Sequence, residues 1–179
     1  MIHIERHIKL SLMLGLSGIS YTSSAEVEAM SRQGFIIKNE QQIEAPATDV
    51  WHALTQQVDA WWPKDHSWWE GKLTIDAVAG GCFCETAGNN SAQHMRITYV
   101  DTNTLLRMTG GLGPLQGLGL NGALTWQFTE QSSHTTVTLT YRVHGFYPDG
   151  FERLAPVVDK VQAMQLLELK NYVSAGATD

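Results

Sequence analysis

The stretch Thr135–His144 alternates without a break: Val137, Leu139, Tyr141 and Val143 stand against Thr136, Thr138, Thr140 and Arg142. Period-two alternation with β-branched residues on the polar side describes an antiparallel strand with one dry face and one wet face. Residues 120–130 repeat the pattern, with Leu124, Trp126 and Phe128 against Thr125 and Gln127. A sheet with one apolar face must cover that face. The chain beyond the last strand offers one large element to do so, a helix expected over 151–172. Its apolar stripe reads Leu154, Val157, Val158, Val161, Met164, Leu167 and Leu169. A twisted sheet curled around a single helix seldom fills the space between them. An enclosed, mostly apolar cavity of roughly 300–1,000 Å³ is therefore expected. The helix is expected to dock on the sheet through Leu154, Val158 and Val161.

The remaining elements follow in order. A first strand is expected over 35–44. Ala45-Pro46-Ala47-Thr48-Asp49 opens a helix, with Pro suited to its first turn and Asp49 to its positive end. A second short helix over 57–61 stops at Pro63. Strands are expected over 72–77, 82–86, 93–100 and 105–109, with Gly88-Asn89-Asn90 as a hairpin turn. In 93–100, Met95, Ile97 and Tyr99 form the apolar side. Residues 26–33 read as a polar lead-in, and 34–173 as one α+β domain without repeats or a linker.

The first 25 residues have the layout of a secretory signal peptide: Arg6 and Lys9, a short apolar core over 10–19, then Ser23-Ser24-Ala25 before Glu26. The apolar run is shorter than the roughly 20 residues that span a bilayer, so stable membrane insertion is not expected. The expected location is periplasmic or secreted. The net charge of −6 and the lack of any Lys/Arg cluster exclude a nucleic-acid footprint. Cys82 and Cys84 lie two apart in a strand, so a bridge is not expected and they read as two small buried hydrophobes. No C-x-x-C or H-x-x-x-H spacing supports a metal site, and no cofactor is expected.

The stretches 43–47 (IEAPA), 50–55 (VWHALT), 61–63 (WWP), 80–85 (GGCFCE) and 110–115 (GGLGPL) resemble the SRPBCC superfamily, the START-related group that includes the birch-pollen allergen and polyketide cyclases. The branch they resemble most carries the label of activators of a heat-shock ATPase. The resemblance implies a helix-grip fold: a curved antiparallel β-sheet wrapped around a long C-terminal helix, with two short helices after the first strand. It does not carry a co-chaperone role to this chain. An exported protein meets no cytosolic chaperone, and Gly110–Gly117 lacks the Lys and Ser/Thr of a phosphate loop.

Six Trp are many for this length, and five lie between 51 and 69. Adjacent Trp61 and Trp62 cannot face the same way, so some indole surface should wall a cavity or meet a partner. Trp61, Trp62, His66, Trp69, Phe83, Leu112, Leu115, Trp126 and Tyr141 are the candidate ligand-binding residues. The Tyr141 hydroxyl needs a partner or a ligand atom. The glycine-rich 110–119 segment is either a gate bearing Leu112 and Leu115 or an irregular connection. Glu85 and His94 flank the hairpin turn and are the candidate catalytic residues. If Asn89-Asn90 forms the loop, both lie on the wet face; a one-residue slip turns Phe83 and Glu85 inward, leaving Glu85 a lone carboxylate with a raised pKa. The function expected is binding or carriage of a small apolar or aromatic molecule. The alternatives are a cofactor-free cyclase or hydratase with Glu85 as acid or base, and a protein-interaction module with an exposed Trp patch.

Overall fold

The computed structural model describes residues 26–176, so the leader expected over 1–25 lies outside the described residues. Eight strands form one antiparallel sheet: β1 (Glu26–Ser31), β2 (Gly34–Ile43), β3 (Lys72–Ile75), β4 (Cys82–Ala87), β5 (Asn90–Asp101), β6 (Leu105–Thr109), β7 (Asn121–Glu130) and β8 (Thr135–His144). Their spatial order is β1-β2-β8-β7-β6-β5-β4-β3. Helices α1 (Ala47–Gln56) and α2 (Val58–Trp61) follow β2, the short α3 (Pro114–Gly117) joins β6 to β7, and α4 (Leu154–Ser174) ends the described chain. This is the expected helix-grip α+β arrangement. The polar lead-in differs from expectation: its Glu26–Ser31 segment is a strand, paired with β2 across the turn at 32–33.

The alternation in β7 and β8 orients both strands as the sequence predicts. Leu124, Trp126, Phe128, Val137, Leu139, Tyr141 and Val143 are buried on the concave face. Trp51 of α1 meets Phe128 edge-on, with ring centroids 5.6 Å apart, and so fastens α1 over one end of the sheet.

Helix α4 docks differently from the expectation. Its buried positions are Ala155, Asp159, Gln162, Gln165, Leu166, Leu169 and Val173. Leu154, Val158 and Val161 are half-buried, and Val157 and Leu167 are exposed. The reason lies in β2, whose inward side chains include Asn39 and Gln41. Asn39 donates to Asp159 Oδ1 at 3.0 Å, and Lys170 donates to Gln41 Oε1 at 3.2 Å. Polar sites on the sheet thus take up polar sites on the helix, since buried polar groups need partners. That rotation swings Leu154, Val157, Val158 and Val161 away from β2.

Two bulges bend β5. One sets two residues of β5 against a single step of β4, between Phe83↔Met95 and Cys84↔Gln93. The other falls between Ile97 and Tyr99. A bulge kinks a strand and resets its side-chain phase. After the second one Tyr99 points outward, against the expectation that it shares a face with Met95 and Ile97; the Arg107 guanidinium lies over its ring at 5.6 Å. Cys82 and Cys84 are also placed differently. They are half-buried on the outer face and joined as a disulfide, with a Cα–Cα separation of 5.5 Å that a bridge can span. They are not buried hydrophobes.

Candidate functional site

The hairpin between β4 and β5 turns at Gly88-Asn89, not at Asn89-Asn90: Ala87 pairs with Asn90 and Glu85 with Ala92. Gly88 has φ 59°, the left-handed conformation that glycine adopts without steric cost. This register turns Phe83 and Glu85 inward, the second of the two arrangements expected. The first bulge of β5 then holds His94 and Met95 consecutively inside. Glu85 and His94 therefore meet in the interior, with His94 Nε2 3.1 Å from Glu85 Oε2.

Glu85 is 0% exposed but far from alone. Its carboxylate accepts the backbone N–H of Trp68 at 2.8 Å and those of Trp69 and Gly71 at 2.9 Å each. Burial pushes its pKa up, yet these donors and His94 outweigh burial and hold it below the ordinary carboxylate value. The expectation of a lone carboxylate with a raised pKa is thus corrected. Glu85 stays ionised, has its oxygens occupied by donors, and clamps the Trp-rich loop onto β4. Gly71 permits the clamp, because a Cβ there would lie 2.6 Å from Thr86 O and 2.9 Å from Glu85 Oε1. Lys64 fastens the same loop from the other side, bonded to Asp59 and to Gly71 O.

Beside this clamp lies a cavity of about 260 Å³, slightly below the expected size. Trp62, Phe83 and His94 form one wall, with ring centroids 5.0 Å and 5.1 Å apart in sequence. Leu112, Pro114 and Leu115 form a second, and Leu154, Val157, Val158 and Val161 of α4 a third. Gln162 and Gln165 reach the cavity from the docked side of α4, and Tyr141 from β8. The 65–68 loop borders it too, with Trp68 44% and Val157 59% exposed, which places the mouth between this loop and the start of α4.

Of the residues expected to bind a ligand, Trp62, His66, Phe83, Leu112, Leu115 and Tyr141 line the cavity. Trp61, Trp69 and Trp126 do not. Trp61 packs inward against Trp126, with centroids 6.5 Å apart, and its Nε1 donates to Ala53 O at 2.9 Å. Trp69 sits half-exposed on the loop. The Tyr141 hydroxyl is already satisfied: it donates to Gly110 O at 2.9 Å and accepts Leu112 N–H at 3.0 Å. Burial pushes its pKa up to about 12, so it holds the glycine-rich segment in place and exchanges no proton near neutral pH. Gly110 and Gly113 take positive φ there, and α3 presents Leu115 to the cavity.

The comparisons with known proteins agree with this architecture. Residues 44–173 match the family described as activator of Hsp90 ATPase homolog 1-like protein. The chain belongs to this family. With it comes membership of the SRPBCC superfamily, as its sequence motifs suggest. Solved structures extend the likeness at the level of fold. A protein of Mesorhizobium loti has 20% identity and a TM-score of 0.60, over 78% of this chain and 97% of that one. The Aha1 dimer of Colwellia psychrerythraea has 20% identity and a TM-score of 0.53, over 79% and 97%. A protein of the dynemicin biosynthetic locus has 18% identity and a TM-score of 0.58, over 79% of this chain and 48% of that one, so this chain spans about half its length. At such identities the likeness is one of fold, and function has to be argued from the site. A comparison with curated proteins gives no significant match. Among the described residues no cluster of His, Cys, Asp and Glu is arranged to hold a metal ion, and no helix is long and apolar enough to cross a membrane.

The α4 wall was not legible in the sequence as a cavity surface, and neither were Gln162 and Gln165. One signal was present: two amides three apart on a helix lie on one face, and that face holds the buried Leu166 and Leu169.

Proposed function

We propose that this protein of the Hsp90 ATPase activator-like family binds and carries a small, mainly apolar molecule, and that it does so outside the cytoplasm. The observation that carries the proposal is the placement of Leu154, Val157, Val158 and Val161. The sequence marks them as a helix's docking stripe, yet they face a cavity while polar neighbours dock on the sheet. An apolar surface held off the core is stabilised when a ligand covers it. Two groups with catalytic potential, Glu85 and Tyr141, are engaged with backbone, which weighs against a cyclase or hydratase using Glu85 as acid or base.

Native mass spectrometry of the protein purified from its own host tests the binding. A retained small molecule is expected. Ligand-free protein whose Trp emission does not respond to apolar probes would contradict the proposal. The location is tested separately by N-terminal sequencing. Exported material should begin near Glu26, whereas a full-length product confined to the cytoplasm would contradict export.

A further inference from the structure

Two buried acceptors on residues that line the cavity have no partner among the described residues. One is His94 Nδ1 and the other is Gln162 Oε1. Both residues line the cavity and are nearly inaccessible, His94 at 5% and Gln162 at 2%. Burial without a partner costs a polar atom free energy that a bound molecule can recover. Each residue is fixed by its other end. Glu85 holds His94 through Nε2, so a neutral ring carries its proton there and leaves a lone pair on Nδ1. Gln162 Nε2 donates to Gln165 Oε1 at 2.7 Å, which turns its own carbonyl oxygen away from that pair. Burial also keeps the imidazole below its ordinary pKa, against the pull of Glu85.

The rest of the lining narrows the ligand further. Among the described residues that line the cavity there is no Lys and no Arg, and its one carboxylate, Asp65, sits exposed at the mouth against His66. A carboxylate or phosphate ligand would therefore enter an apolar cavity with no Lys or Arg to pair with, and would face two acceptor atoms. We infer that the ligand is a neutral apolar molecule bearing hydroxyl groups, which donate to His94 Nδ1 and Gln162 Oε1. The inference rests on the proposed binding function and specifies its ligand class.

Three probes of similar shape separate the possibilities: naphthol, methoxynaphthalene and naphthoate. Each is titrated by calorimetry near neutral pH into the wild-type protein and into His94→Phe and Gln162→Leu. In the wild type, naphthol should bind about tenfold more tightly than the ether, the worth of one hydrogen bond to a buried acceptor, and naphthoate should bind most weakly. The naphthol-to-ether ratio should fall toward one in His94→Phe and fall in part in Gln162→Leu. Because His94→Phe removes a partner of Glu85 and can disturb folding, nitrogen-15 NMR of the wild-type imidazole gives a second readout. Nδ1 should shift on adding naphthol and not on adding the ether. Equal affinities for naphthol and ether, an unmoved Nδ1, or tightest binding of naphthoate would overturn the inference while leaving a binding cavity in place. Failure of all three probes to bind would overturn the binding function and the inference together.

Discussion

At the scale of single residues, the fate of Glu85 shows how environment decides role. Its position facing the interior follows from the hairpin register. Its electrostatics follow from three backbone N–H groups that no sequence pattern announces, because they come from an irregular loop 14 to 17 residues away. Glu85→Gln should keep the shape but lose the charge that satisfies those donors, lowering stability by about 2–4 kcal/mol in denaturant unfolding. Gly71→Ala should also destabilise, since its Cβ would collide with backbone at Thr86. The pair titrates in one direction. Both folded pKa values lie below the ordinary ones, 6.5 for His94 and 4.5 for Glu85. The stability each contributes is present above its ordinary pKa and is lost as pH falls through the folded value. The melting temperature should thus decline first below about pH 6.5 and again below about 4.5. The first decline should shrink in His94→Phe; an identical profile in that variant would remove His94 as its source.

At the scale of elements, legibility tracked the length of an uninterrupted pattern. The strands Leu105–Thr109 and Thr135–His144 begin and end where alternation and turn residues place them. The strand Glu26–Ser31 was missed because a six-residue edge strand, half of it polar and interrupted by a register shift between Val27 and Ala29, is too short to show a clear alternation. The bulge at His94 was missed because one extra residue is a backbone event that alternation cannot register. Helix α4 is the instructive case. Its extent was legible from period 3.6, but its rotation was not, because Asn39 and Gln41 on the facing strand decide which stripe docks. Two substitutions separate the faces. Leu169→Ala should cost about 2–5 kcal/mol, the usual range for emptying a buried leucine site. Val161→Asp should change the melting temperature far less and abolish probe binding, since the carboxylate would enter the cavity. Severe unfolding by Val161→Asp would return that residue to the docking face.

At the scale of the whole molecule, the architecture implied a cavity before its walls were known, because one helix cannot fill a curled sheet of eight strands. Part of the candidate site was legible for the same reason: Tyr141 is a dry-face position on its strand, and Trp62 follows a helix that must close the end, whereas Phe83 faced inward in only one of the two hairpin registers the sequence allowed. Trp126 obeys the same alternation and is still absent from the lining, because Trp61 covers it. Sheet-face patterns specify inside and outside, and not which inside residue meets open space. The proposed occupant of this space is an apolar molecule. Methyl-resolved NMR during titration with naphthalene tests it most directly. Methyl groups of Leu112, Leu115, Val158 and Val161 should shift and saturate together, while those of the closed interior at Leu106 and Leu139 move far less. Unchanged cavity methyls at saturating naphthalene, with shifts confined to surface residues around Phe146 or Trp69, would contradict it.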